Sequence, residues 1–154
     1  MESILKRGRG RPKKIDRIQV LDFVMISYWS DGPTNVSMND ICKKLEISKP
    51  SLYNEFGSED DLQAAALHNY HEEILSQLFK IFDETTPFNH SLKKLIDLST
   101  IDRSKEGLPY SCLHEQMRNT GNQLGLLTRS KVKDLSKKII NGYQSWIDKA
   151  KLNG

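Results

Sequence analysis

Ser48, Lys49, Ser51, Tyr53 and Asn54 stand close together in a stretch that contains one proline, Pro50. Their chemistry is recognition rather than bond making. The Lys49 ammonium can neutralise a phosphate. The Ser51 hydroxyl and the Asn54 amide can hydrogen-bond base edges or backbone, and an asparagine amide matches the donor–acceptor edge of adenine in a major groove. Tyr53 can reach a phosphate with its hydroxyl or pack against a sugar. Other reactive groups are sparse. His68 and His71 are spaced to share a helix face, but a metal would need further ligands and the sequence singles out none. Both are read as ordinary surface or core histidines, with no metal or cofactor. Cys112 and His114 lack a third partner, so no nucleophile–base–acid set is legible and no enzyme is expected.

The recognition set needs a helix held from behind and exposed in front. Ser48 is a good N-cap, Pro50 fits a first turn, Leu52 and Phe56 can anchor the rear face, and Gly57 can stop the helix. Before it, Ser37 and Asp40 form a capping-box pattern. Met38, Ile41, Cys42 and Leu45 then make an apolar stripe of helical period. Only Glu46 and Ile47 lie between, so two short helices meet in a tight turn that Ile47 can plug. That is helix-turn-helix geometry. On patterning alone an ordinary helical hairpin in a bundle fits equally well.

The rest of the chain also reads as helical. A first helix is expected at about 16–30, ended by Asp31, Gly32 and Pro33. A long fourth helix is expected at about 59–84. Ser58 caps it, and Leu62, Ala66, Tyr70, Ile74, Leu78 and Phe82 recur every four residues. Further helices are expected at about 90–101, 110–119 and 128–151, with Gly142 inside the last. No period-2 alternation supports a strand.

The residues of the hairpin resemble a known family. Ser48-Lys49-Pro50-Ser51-Leu52-Tyr53-Asn54-Glu55-Phe56 is similar to the recognition helix of the TetR family of bacterial transcriptional regulators. Ile41-Cys42-Lys43-Lys44-Leu45-Glu46-Ile47 resembles that family's second helix, written I-A-x-x-x-G-V. Trp29-x-x-Gly32 matches the end of its first helix, and Gly57-Ser58-Glu59-Asp60-Asp61-Leu62 the entry to its fourth. The likeness spans about 15–75. It departs at Val36, where the family has a threonine whose phosphate contact Ser37 would take over, and at Pro50.

The resemblance implies an all-α protein: a three-helix DNA-binding domain at 15–60 and a helical ligand-binding and dimerisation bundle at 61–154. It implies a double-stranded DNA partner read through Ser37, Ser48, Lys49, Pro50, Ser51, Tyr53 and Asn54, and a repressor's function. It also implies a small-molecule effector and a homodimer. Gly107-Leu108-Pro109-Tyr110-Ser111-Cys112-Leu113 resembles the family's Gly-Cys-Leu stretch, so Tyr110, Cys112, His114 and Met117 are candidate effector contacts, though ordinary core accounts for each as well. Family members are usually longer, and their two closing helices build the dimer. This chain is expected to be shortened at its C-terminus. The competing reading is an interaction module that pairs with a full-length relative and modulates its DNA binding.

Charge supports a polyanionic partner. The formal net charge is +3 over 154 residues. Residues 1–14 hold six basic groups against Glu2, a local charge of +5, which leaves −2 on the remainder. Arg9-Gly10-Arg11-Pro12 resembles an AT-hook core, and Arg9, Arg11, Lys13 and Lys14 suit a narrow minor groove or phosphates. A disordered tail giving salt-dependent affinity is the plainer reading of 1–14. Two cysteines without metal spacing fit a reduced, cytoplasmic setting. No stretch approaches the ~20 apolar residues that span a bilayer, so no membrane partner is expected.

Overall fold

The structure, a computed structural model, describes residues 15–83, 86–102, 105 and 107–152. The described residues form helices and no strand. In chain order these are α1 (Arg17–Asp31), α2 (Met38–Leu45), α3 (Lys49–Phe56) and α4 (Glu59–Tyr70). A π-helical turn, His71–Leu75, leads straight into α5 (Ser76–Asp83). There follow α6 (Phe88–Thr100), α7 (Leu113–Thr120), a 3-10 turn (Gly121–Gln123) and α8 (Leu126–Leu152). Residues 1–14, with Arg9, Arg11, Lys13 and Lys14, lie outside the described residues.

The core is built around α1 and α4. Tyr28 and Trp29 of α1 are fully enclosed, with Trp29 edge-on to Tyr70 at 5.0 Å. One apolar cluster runs from Val20, Ile41 and Leu52 through Leu62, Ala66 and Leu67 to Leu113, Met117, Val132 and Leu135. Residues 15–60, expected to form a DNA-binding domain, and the helices after them thus share a continuous interior. Gln63, buried on α4, donates to the Pro33 carbonyl at 3.3 Å and satisfies the turn that ends α1.

The expected fourth helix is one rod, and the π turn explains its every-four pattern. On a regular α-helix a four-residue repeat drifts about 40° per step. A π turn inserts one residue and sets the stripe back by about 100°. Leu62, Ala66 and Tyr70 before it and Phe82 after it are therefore all buried.

Three helix starts differ from expectation, the helix expected from about 90 beginning at Phe88. The helix expected from 110 begins at Leu113. The Ser111 carbonyl instead accepts from the Trp29 indole at 2.5 Å, and the Ser111 hydroxyl accepts from Gln116 at 2.5 Å. The helix expected from 128 begins at Leu126, because its cap comes from far away. The Asp60 carboxylate accepts from the amides of Leu127 (2.9 Å) and Thr128 (2.8 Å) and from the Thr128 hydroxyl (2.6 Å). Gly125 is required beside it, since any Cβ there would fall on the Asp60 carboxylate.

Gly142 has a packing cause. A Cβ at 142 would sit 2.5 Å from the Phe82 ring, which also packs on Tyr143 and Trp146. Glycine costs a helix interior about 1 kcal/mol against alanine, but forcing a methyl into a packed ring costs typically about 1–3 kcal/mol. Gly142→Ala is therefore expected to lower the unfolding free energy, by about 1 kcal/mol, rather than raise it. Urea denaturation with an unchanged slope checks this.

Candidate nucleic-acid interface

The two short helices at 37–56 form as their caps dictate. The Ser37 hydroxyl accepts from the Asp40 amide at 3.2 Å, and the Asp40 carboxylate accepts from the Ser37 amide at 3.1 Å and from its hydroxyl at 2.5 Å. The Ser48 hydroxyl accepts from the Ser51 amide at 3.2 Å and lies 2.7 Å from the Ser51 hydroxyl. Gly57, at φ +85°, ends α3. Ser58 and Asp61 then repeat the capping box at the start of α4. Each cap is worth about 1 kcal/mol, which matters for helices of eight residues that would not persist alone.

Among the described residues, the turn carries the non-glycine residue with positive φ. Glu46 adopts φ 54°, ψ 38°, left-handed and unfavourable for a side chain. Its amide bonds back into α2, and Ile47 packs against the core beneath. Position 46 is where the I-A-x-x-x-G-V pattern has its glycine, so the departure from the family falls on a residue whose geometry asks for one.

Behind α3, Leu52 and Phe56 are buried. The Arg17 guanidinium lies 4.4 Å over the Phe56 ring and donates to the Glu55 carbonyl (2.9 Å) and carboxylate (3.1 Å). In front, Ser48, Lys49, Pro50, Tyr53 and Asn54 are exposed and Ser51 half-exposed. The Lys49 ammonium stands 6.0 Å from the Tyr53 ring. Ser37 is also exposed, at the start of α2. The described recognition residues thus share the outer side of one hairpin, with the Ser37 and Ser48 hydroxyls already engaged in caps. Arg17 and Gln63 were not legible as contributors. They position α3 and the α1 turn through contacts distant in sequence.

The candidate effector contacts divide. Tyr110 and Cys112 line an open cavity of about 470 Å³ with Trp29, Tyr70, Leu78 and Tyr143. The Tyr70 hydroxyl donates to the Cys112 sulfur at 3.5 Å. Burial pushes the Cys112 thiol up, but hydrogen bonds from His114 and Tyr70 outweigh it and leave its pKa below the ordinary value. His114 is buried, 3.0 Å from the Ser136 hydroxyl, and Met117 is fully enclosed in the core. Those two do not line that cavity.

An all-α scaffold presenting a capped helix-turn-helix with a polar outer face is the architecture of a DNA-binding regulator. Residues 27–66 match the family model for bacterial regulatory proteins of the tetR family. Over 66 residues the chain is 36% identical to the HTH-type transcriptional repressor ComR of Escherichia coli (strain K12), which covers 43% of this chain and 31% of ComR. The chain thus matches about a third of that relative's length. Its fold is similar to the crystal structure of a TetR transcriptional regulator from Legionella pneumophila, with a TM-score of 0.72 at 19% identity, over 88% of this chain and 73% of the other. Residues 27–66 are thus similar to the helix-turn-helix domain of the TetR family, and the described residues share an all-α fold with a solved TetR regulator.

Two outcomes follow from this geometry. Glu46→Gly is expected to raise stability by about 0.5–1 kcal/mol, since left-handed backbone costs a side chain roughly 1–2 kcal/mol and glycine returns part of that as entropy. Thermal and urea unfolding check it. The second concerns acid. Hydrogen bonds from Ser37 and Ser58 hold Asp40 and Asp61 below the ordinary 3.8. Burial raises Asp60, but its bonds from Thr128 and Leu127 outweigh that and lower it too. Carboxyls depressed by folding contribute stability that is present above the ordinary value and lost as pH falls through the folded value. Unfolding free energy is therefore expected to decline below about pH 4, and Asp60→Asn to remove part of that decline in a urea–pH series.

Proposed function

We infer that this protein is a transcriptional regulator, acting as a repressor, that reads double-stranded DNA with α3 in the major groove. The observation that carries the reading is the outer face of α3. It is polar, exposed and anchored by Leu52, Phe56 and Arg17, and it lies in the stretch that matches the family model. Similarity over 66 residues to a named repressor supports the repressor's role. Lys49 is assigned to a phosphate, Asn54 and Ser51 to base edges, and Tyr53 to a phosphate or sugar. The first-turn amides of α2 and α3 that the Ser37 and Ser48 caps leave unengaged are assigned to phosphates. Arg9, Arg11, Lys13 and Lys14 are assigned to the minor groove or neighbouring phosphates.

The 470 Å³ cavity beside Trp29 and Tyr110 is large enough for a small effector. Its wall includes Tyr70 of α4, the helix that follows the reading head, so occupation there would bear on the head's position. A homodimer would bring two heads to one palindrome. On α8, Ile140 and Ile147 are exposed and could serve such a contact. We place the activity in the cytoplasm, where DNA is accessible, and assign no catalysis.

Titration of a labelled promoter fragment at several salt concentrations tests the reading. Specific binding is expected to exceed binding to random DNA by about 10³-fold or more. Lys49→Ala should weaken all sequences alike and shallow the salt slope by about one. Asn54→Ala should cost about 1–3 kcal/mol of discrimination at one base pair. Equal affinity for promoter and random DNA would overturn the proposal.

A further inference from the structure

The helical rod holds, at its π turn, a group of side chains that DNA reading does not use. His68, His71 and Glu72 each offer one ligand atom, and these atoms all lie within 4.8 Å of one another. The Glu72 carboxylate stands 2.8 Å from Nδ1 of His71 and 3.9 Å from Nδ1 of His68. The two imidazoles lie nearly parallel, 6.5 Å apart and 26° from coplanar. His71 is held in place from behind by an edge contact with Phe79 at 5.3 Å. His68 and Glu72 are largely exposed and free to adjust. His68 and His71 line a second cavity of about 320 Å³, to whose wall α8 brings Asp134, with Leu67, Leu135, Lys131 and Lys138.

We propose that His68, His71 and Glu72 bind a divalent transition-metal ion of the zinc type, with Asp134 or water completing its coordination. Two neutral imidazoles and one carboxylate are the donor set that such ions favour over magnesium or calcium, which prefer oxygen alone. Ligand atoms about 2.0–2.2 Å from such an ion stand about 3.3–3.5 Å apart in a tetrahedral set. The present separations bracket that spacing, so modest rotamer changes close the site. The spacing itself helps: i, i+3 and i+4 lie on one helix face. The site straddles the joint between α4 and the π turn, and π turns often mark functional positions. Lys131 and Lys138 oppose the ion's charge from flexible stems, and Asp134 offsets them. An ion here would pin the joint of the rod that leads away from the reading head.

Calorimetric titration of the full chain with Zn²⁺ in a non-thiol reductant, with no DNA present, tests this separately from DNA reading. One ion per chain is expected, undisturbed by millimolar Mg²⁺. His68→Ala or His71→Ala should weaken binding by at least about ten-fold, the lower end of what even an outer-shell partner is worth. Far-UV circular dichroism should stay unchanged in both variants. Zn²⁺ should raise the melting temperature of the unaltered chain and not of the double variant, by mass action. No saturable binding would overturn the proposal. So would binding that survives in the double variant, or binding that is lost when Cys42 and Cys112 alone are changed to serine.

Discussion

Asp60 joins two parts of the molecule through one carboxylate. It sits in the first turn of α4, three residues beyond the glycine that ends α3. Its oxygens take hydrogen bonds from the first turn of α8, more than sixty residues on. A carboxylate at a helix start meets unpaired amides and the positive end of the dipole, so the tie is favourable at both ends. Gly125 exists in its present form because the carboxylate occupies the space a side chain would need. The place of the reading head relative to the long closing helix depends on this contact together with the buried Gln63–Pro33 bond.

From that joint the rest of the arrangement follows. The α4 rod buries Leu62, Ala66 and Tyr70 against α1, and α1 supplies Arg17 to steady the end of α3. α3 is short and gains little from its own hydrogen bonds. Its position comes from Leu52 and Phe56, whose burial contributes roughly 1.5–3 kcal/mol each, and its length from Ser48 and Gly57. Polar side chains on the opposite face are left exposed as a consequence. The exposed Arg17–Glu55 pair adds little energy alone; with the Phe56 ring beneath it, it fixes an angle.

What the sequence made legible was what local signals carry. Ser37 with Asp40, Ser48 with Pro50, and Gly57 mark their helix ends within four residues, and the structure puts the ends there. Residues that act across the fold were not legible. Asp60 reads as an ordinary first-turn acid of its own helix, yet it caps another. Ser111 reads as helical, yet its carbonyl accepts from the Trp29 indole. His114 and Met117 follow closely on the motif that holds Tyr110 and Cys112 but do not line the cavity that those two line. Glu72 is the i+4 neighbour of His68, but an acid on an exposed helix face reads as solvated surface, so no third ligand stood out. The strain at Glu46 was visible only as a missing glycine in a pattern.

The central claim is that the outer face of α3 is the surface that meets DNA. Backbone amide shift mapping of the free chain against its promoter fragment tests it most directly. The account predicts the largest shifts at residues 48–54, with smaller ones at the start of α2 and along the basic arm, and little change across α6 and α8. Shifts confined to the arm, or concentrated on α8 with residues 48–54 unmoved, would contradict it.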